Sequence, residues 1–310
     1  MTKTPLPGPG DSCQPDPRKG GLPPEHMILA PEHDEDLQQV YGWLKLQPII
    51  SLLRGAVDDA VRYVLDGART WRFDLMSDEV DSDERSSVGT KLQYHVIESL
   101  GLRKEPPLDT TIMDVPVEIK GTVRSTWMIP REGQCEVTLM IQIDARQHRF
   151  RAVLMRTHRA WLTGQHGNRD LKRSPRADAV SNYALEVAPW TDLPTEPLRK
   201  LTPDQLRVVF NHGDGLRKRI TALFGYLPEQ VIPRTTITTV GAGLGDPLKR
   251  AREAKPYVLT EHYLVVLVGT WESEFNIAAK LGHDLNNEAW VAVPVAKLAG
   301  LNLSSYDLKY

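Results

Sequence analysis

Apolar positions along this chain recur with two different periods, and the switches between them mark its elements. "EDLQQVYGWLKL" (35–46) carries apolar residues at three- and four-residue spacing, the stripe of an amphipathic helix. "QPIISLLRGAVDDAVRYVLDG" (47–67) predicts a longer helix that opens near Pro48 and stops at Gly67, as helix punctuation requires. "VGTKLQYHVIESLG" (88–101) predicts a third, ending at Gly101. The period then falls to two. In "DVPVEIKG" (114–121) Val115, Val117 and Ile119 alternate with polar neighbours, so the segment 108–120 reads as extended. "CEVTLMIQIDA" (135–145), rich in branched residues, is a strand, and "FRAVLMRTHRAWLTG" (150–164) begins as a strand and ends in a turn. Helices, then strands, then more helix around one short sheet predict a mixed α/β domain that ends near residue 190.

The flanks read differently. Residues 1–30 are dense in Pro and Gly and predict a flexible tail with little to bury. "DLMSDEVDSDERSS" (74–87) is acidic and loop-like, and the proline-bearing stretch 188–206 reads as a linker. Beyond it, helices are predicted at "TPDQLRVVFNH" and "DGLRKRITALFGYL". A glycine-rich turn and a basic helix follow within 233–255, and the strands "YLVVLVG" (263–269) and "WVAVPV" (290–295) close the chain. Helices first and a strand pair last is the order of a winged helix. The expected division is therefore a tail (1–30), an α/β domain (31–190) and a winged-helix-like domain (191–310).

Composition narrows the classes. A chain of 310 residues, 41% hydrophobic and 25% charged, has enough apolar material for about two globular domains. A net charge of -2 gives no global sign of a nucleic-acid partner, so any such sign must come from local clusters. The only two cysteines, Cys13 and Cys135, stand far apart and argue against a disulfide framework and against a structural zinc site. The histidines are scattered, "HDED" and "THRAW" lack ligand spacing, and His158 and His212 read as surface or internally satisfied residues. No apolar run suits a bilayer and no signal core opens the chain, so the expectation is a cytoplasmic protein without a membrane partner.

The strand at 114–121 carries the chemistry. Period two puts Glu118 and Lys120 on one face, where both can reach the same phosphate. A carboxylate there, joined by a second from just upstream, holds Mg²⁺ through oxygen ligands, and the lysine stabilises negative charge developing beside the ion. Asp109 is the best upstream acid and Asp114 the runner-up. An exposed Glu–Lys pair is otherwise an ordinary solvated face. The neighbours favour the nuclease reading: an acid on a predicted turn, a preceding helix, and a basic, aromatic-bearing stretch with Arg124, Ser125 and Trp127 as candidate DNA contacts.

From about residue 35 to 260 the chain also resembles the NaeI family of type II restriction endonucleases. The resemblance rests on "DLQQVYGWL", "DGARTWRF", "VGTKLQ", "DTTIMDVPVEIKG", "WMIPRE", "GNRDLKR" and "ITALFGYL", in that order. It implies an α/β mixed-sheet endonuclease domain of the PD-(D/E)xK type, related to the mismatch-repair nickase MutH. A DNA-binding domain like that of the catabolite activator protein would follow, in a Mg²⁺-dependent homodimer acting on double-stranded DNA. By position it makes Asp109 and Glu118 the metal ligands, with Glu118 standing where the family usually has Asp. It makes Lys120 the catalytic lysine and places Gln93 where the family carries a helical Glu. A neutral amide is a poorer ligand than a carboxylate, so this departure bears on the number of metal ions.

Two further stretches bear on DNA. In "GNRDLKRSPR" (167–176), Arg169, Lys172 and Arg173 are candidate phosphate contacts, which position a duplex without reading its bases. "GAGLGDPLKRAREAK" (241–255) fits neither glycine-loop spacing for nucleotides, so no nucleotide cofactor is expected; Lys249, Arg250 and Arg252 become candidate groove or phosphate contacts on a basic helix. The activity expected is cleavage of duplex DNA, with a non-cleaving DNA-binding regulator and a repair-linked nickase as the alternatives.

Overall fold

A computed structural model describes residues 5–16, 25–163, 171–286 and 288–299. The chain divides into two compact units, Met1–Val64 with Val80–Pro194, and Leu65–Glu79 with Thr195–Tyr310. In the first, two short strands, β1 (Ser12–Cys13) and β2 (His26–Met27), pair antiparallel and precede the helices α1 (Glu35–Leu46) and α2 (Ile49–Leu65). The short α3 (Gly67–Thr70) belongs to the second unit, and α4 (Ser82–Ser99) returns to the first.

The sheet of the first unit runs in the order β3-β4-β5-β6-β7. Its strands are β3 (Thr110–Ile112), β4 (Val115–Thr122), β5 (Val137–Asp144), β6 (Arg149–Arg156) and β7 (Leu185–Asp192), with the helix α5 (Ala177–Tyr183) before the last. The pair β4/β5 is parallel and the others are antiparallel, so the sheet is mixed, as the α/β pattern predicts. Central β5 is buried along most of its length, which explains its near-continuous apolar run. The turn between β3 and β4 is a two-residue loop, Met113–Asp114, with both residues at positive φ, a type I′ hairpin.

Helix α4 lies on β4 through glycines. A Cβ on Gly89 would stand 2.5 Å from the carbonyl oxygen of Gly121, and one on Gly121 would meet Leu92 at 2.7 Å. Only the missing side chains allow this approach. Because Gly121 shares the strand face of Val117 and Ile119, α4 covers the apolar face and leaves Glu118 and Lys120 on the other.

The second unit contains α6 (Pro203–Val209), α7 (Leu216–Tyr226), α8 (Arg234–Val240), α9 (Pro247–His262), β8 (Leu264–Val268), α10 (Glu272–Lys280), β9 (Trp290–Pro294) and α11 (Val295–Leu298). Thr202 and Gln205 form a capping box that starts α6. Its core is built from Ile220, Phe224, Ile237, Ala254 and Val266 among others. The predicted strand pair is present as antiparallel β8 and β9, and α10 stands between them in the chain.

Several expectations change here. Residues 5–16 and 25–30 are not a loose tail: Cys13 and Ile28 are fully buried, and the Trp161 indole N–H donates to the Pro7 carbonyl at 2.8 Å. Proline lacks an N–H but keeps an acceptor, so this stretch docks through its carbonyls. The acidic stretch 74–87 is a loop only at first, because Asp81 caps α4 by accepting from the N–H groups of Asp83 and Glu84, and the acids favour that helix start. The stretch read as a linker begins as strand β7. Residues 65–79 were assigned to the first domain but pack in the second unit. The Trp71 indole donates to the Ala242 carbonyl at 2.9 Å, Phe73 stacks on Phe210, and His212 lies 4.2 Å from Trp71 between ring centres.

Candidate active site

β3 is short, and its last pair with β4 in this direction is Thr110 with Val117. The N–H of Ile119, two residues further along β4, therefore has no partner on β3. Asp109, the residue just before β3, supplies one: its Oδ2 accepts from Ile119 N at 2.9 Å. This sets the Asp109 carboxylate beside the backbone that joins Glu118 to Lys120. Its other oxygen accepts from Lys104 Nζ at 3.2 Å, and Lys104 in turn lies over the Tyr94 ring.

Glu118 and Lys120 share a face, as period two requires, and are joined by an ion pair of 2.6 Å between Nζ and Oε1. Glu118 is buried despite its charge, at 3% exposure. Gly133 closes over it, since a Cβ there would stand 3.0 Å from Glu118 Cγ. Burial pushes the Glu118 carboxyl up to about 7, the charges of Asp109 and then Glu132 push the same way, and Lys120 opposes them. Desolvation thus outweighs a close ion pair, as it commonly does for buried charge.

The remaining sequence candidates are placed as follows. Gln93 lies on α4, which covers the opposite face of β4, and among the described residues its half-buried amide bonds neither Asp109 nor Glu118. Asp114 sits in the β3–β4 turn, four residues and about 13 Å of strand from Glu118, so Asp109 is the acid that converges. Arg124 and Ser125 are exposed, with Arg124 touching Ser86 Oγ at 3.3 Å. Trp127 corrects the expectation of a DNA contact. It is 3% exposed and donates its indole N–H to the Ile141 carbonyl at 2.9 Å, so it is core. Arg173 spends its guanidinium on the carbonyls of Thr163 and Arg159, and its backbone bridges to Ile129. Lys172 is half-buried, and Arg169 lies outside the described residues. On α9, Lys249 is exposed, Arg250 pairs with Glu253 at 2.7 Å and Arg252 is half-buried. Lys255, further along, is buried against Glu274 at 2.6 Å.

Sequence reasoning missed Lys104, Glu132 and Gly133. Lys104 had a faint signal, a cation five residues before the candidate acid. Glu132 and Gly133 had none, because the loop that carries them meets β4 only in three dimensions.

A mixed sheet with two acids and a lysine converging beside its short edge strand fits a nuclease domain. The match to known families is to one of them: the model of the restriction endonuclease NaeI covers residues 40–300, most of the chain. The chain belongs to the NaeI restriction endonuclease family, whose members are DNA-cleaving hydrolases. No curated protein matches it.

Proposed function

We propose that this protein is a Mg²⁺-dependent type II restriction-like endonuclease that hydrolyses phosphodiester bonds at specific sites in double-stranded DNA. The carrying observation is the seat of Asp109 on the N–H of Ile119, which brings its carboxylate to the Glu118–Lys120 pair. The donor set suits the ion, since carboxylate oxygens are what Mg²⁺ takes. The charge of Asp109 also raises the proton affinity of Glu118 on this buried face, which is a place where a divalent cation relieves repulsion. Asp109 and Glu118 would hold Mg²⁺, which when bound polarises the scissile phosphate and lowers the pKa of the attacking water.

The chain's own groups do the rest. Lys104 and the Ile119 N–H fix the Asp109 carboxylate in place before any ligand arrives. Glu118 would hold the ion as the carboxylate, so binding would favour loss of its proton. The Lys120 ammonium, already ordered beside Glu118, turns to the phosphate oxygen on which negative charge grows. Gly133 lets its loop pack against the Glu118 side chain, where a larger residue would collide with it.

The second unit is read as the winged-helix-like DNA-binding domain. An open cleft of about 570 Å³ lies between the start of α7 and the turn before α9, with Arg217, Lys218 and Arg250 on its walls. Those cations, with Lys249 and Arg252, suit a phosphate backbone. A double-strand cut at a symmetric site is made most simply by a two-fold homodimer. Incubation of supercoiled plasmid with the protein, with and without Mg²⁺, tests the reading. Linear product that needs Mg²⁺ and vanishes in Asp109→Ala supports it. Nicked product alone would reassign it as a nickase, and binding without cleavage as a regulator.

A further inference from the structure

The sequence argued against a zinc site, and the fold overturns that argument. Both cysteines of the chain, 122 positions apart, meet in the first unit with Sγ atoms 3.7 Å from each other. His26 Nε2 and His158 Nδ1 meet at the same place, 3.1 Å apart. One ligand atom from each of the four lies within 4.8 Å of every other. Cys13, Cys135 and His158 are buried and His26 is half-buried.

Two strand pairs build this cluster. Cys13 and His26 are direct register partners in β1/β2. Cys135 stands two residues before Val137 and His158 two residues after Arg156, and Val137 and Arg156 are register partners in β5/β6. Each antiparallel pair thus offers one thiol and one imidazole, and the two pairs face each other. The sulfur–sulfur and nitrogen–nitrogen edges have the lengths of a tetrahedron around one ion, and the other edges lie within 4.8 Å. Zinc–sulfur bonds of about 2.3 Å give a sulfur–sulfur edge of about 3.8 Å, and zinc–nitrogen bonds of about 2.0–2.1 Å give a nitrogen–nitrogen edge of about 3.3–3.4 Å. The separations of 3.7 and 3.1 Å fall close to both. The Arg159 N–H also donates to Cys135 Sγ at 3.4 Å, which suits a thiolate.

We propose that Cys13, His26, Cys135 and His158 form a structural Zn²⁺ site that clamps the β1/β2 pair to the end of β5/β6. Four protein ligands leave no open position, so the role is structural, not catalytic. Two thiolates and two imidazoles select zinc over the hard cation that the carboxylate site takes. The site is separate from Asp109 and Glu118 and stands or falls independently of DNA cleavage.

The test uses the full-length protein expressed with zinc and purified under reducing conditions without chelator. Elemental analysis should find one zinc per chain in the wild type and in Asp109→Ala, and none in Cys135→Ser. Cobalt(II) in place of zinc should give the intense visible bands of a tetrahedral site with sulfur ligands, together with sulfur-to-metal charge transfer. The cobalt spectrum of the wild type keeps the question decidable if Cys135→Ser does not fold. A wild-type protein without zinc and with only weak octahedral cobalt bands overturns the proposal. So does a Cys13–Cys135 disulfide in protein purified this way, seen as a mass lower by two hydrogens.

Discussion

Replacing Glu118 with Gln should make the Mg²⁺-free protein more stable at neutral and alkaline pH, and should abolish cleavage when Mg²⁺ is supplied. The Glu118 carboxyl is pushed from an ordinary value of 4.5 up to about 7, burial being the largest cause. A group whose pKa is raised by folding adds stability below its unfolded pKa and loses it as pH rises through the folded one. For Glu118 that window runs from about pH 4.5 to about 7. Roughly 2.5 pH units at about 1.4 kcal/mol each amount to about 3 kcal/mol. Gln keeps the shape of the protonated acid and has no charge to desolvate. The free-energy difference between the variant and the wild type should therefore grow by about 3 kcal/mol across that window and stay flat on either side. Hydrogen exchange of β4 and β5 amides in Mg²⁺-free buffer without chelator measures it, because those strands report on the first unit alone. Parallel pH profiles for the two proteins would refute the claim that burial governs this carboxylate.

Mg²⁺ supplies the other half of the experiment. A ligand that binds only the native state stabilises it by RT ln(1 + [L]/Kd), so excess Mg²⁺ should recover at pH 8 what the wild type lost and do little for Glu118→Gln. Uptake should release a proton when the titration is run below the Glu118 pKa and none when it is run well above it.

Three other outcomes are expected. Lys120→Ala should slow single-turnover cleavage about a hundred- to a thousandfold while DNA affinity changes far less, by comparison with the loss of an oxyanion-hole donor; a variant that cuts at the normal rate would reduce the pair to an ordinary buried ion pair. Gly89→Ala should cost about 1–3 kcal/mol in the chemical denaturation of the first unit and slow cleavage, because its methyl would displace α4 from Gly121. Alanine at Lys249, Arg250 and Arg252 should weaken DNA binding and flatten the dependence of log affinity on log salt by about one per lost phosphate contact; Arg250 should contribute less than its share, being already paired with Glu253.

The strand that holds the candidate site was legible because its signal is local. Alternation placed Val117 and Ile119 on one face and Glu118 with Lys120 on the other, and the structure keeps both assignments. Asp109 was legible as an acid upstream but not as a partner of Ile119 N, since that bond exists only because β3 stops short and leaves an N–H open. Trp127 was misread for a related reason. An aromatic residue beside Arg124 and Ser125 has the composition of a nucleic-acid surface, and a buried tryptophan requires an acceptor for its N–H. The acceptor is the Ile141 carbonyl, fourteen positions away on β5, and nothing near Trp127 announces it. The contact of Gly89 with Gly121 is equally silent, because a glycine in a sequence does not say what approaches it.

The cysteines and histidines carry this argument furthest. Ligand-spacing rules assume that one short segment supplies neighbouring ligands, as a turn or a helix face does. Here spacing along the chain is irrelevant, and strand register sets the geometry. Antiparallel pairing puts Cys13 opposite His26, and just past the end of the β5/β6 ladder the Cys135 N–H donates to the Thr157 carbonyl, which sets Cys135 beside His158. The two halves then meet because the Pro-rich N-terminal stretch, which composition marked as loose, docks through its carbonyls and buries Cys13 and Ile28. A low apolar content says that a segment cannot fold alone. It does not forbid the segment from completing a site on a domain that already has a core, and a metal ion bound by both partners would supply the stability that its own side chains lack.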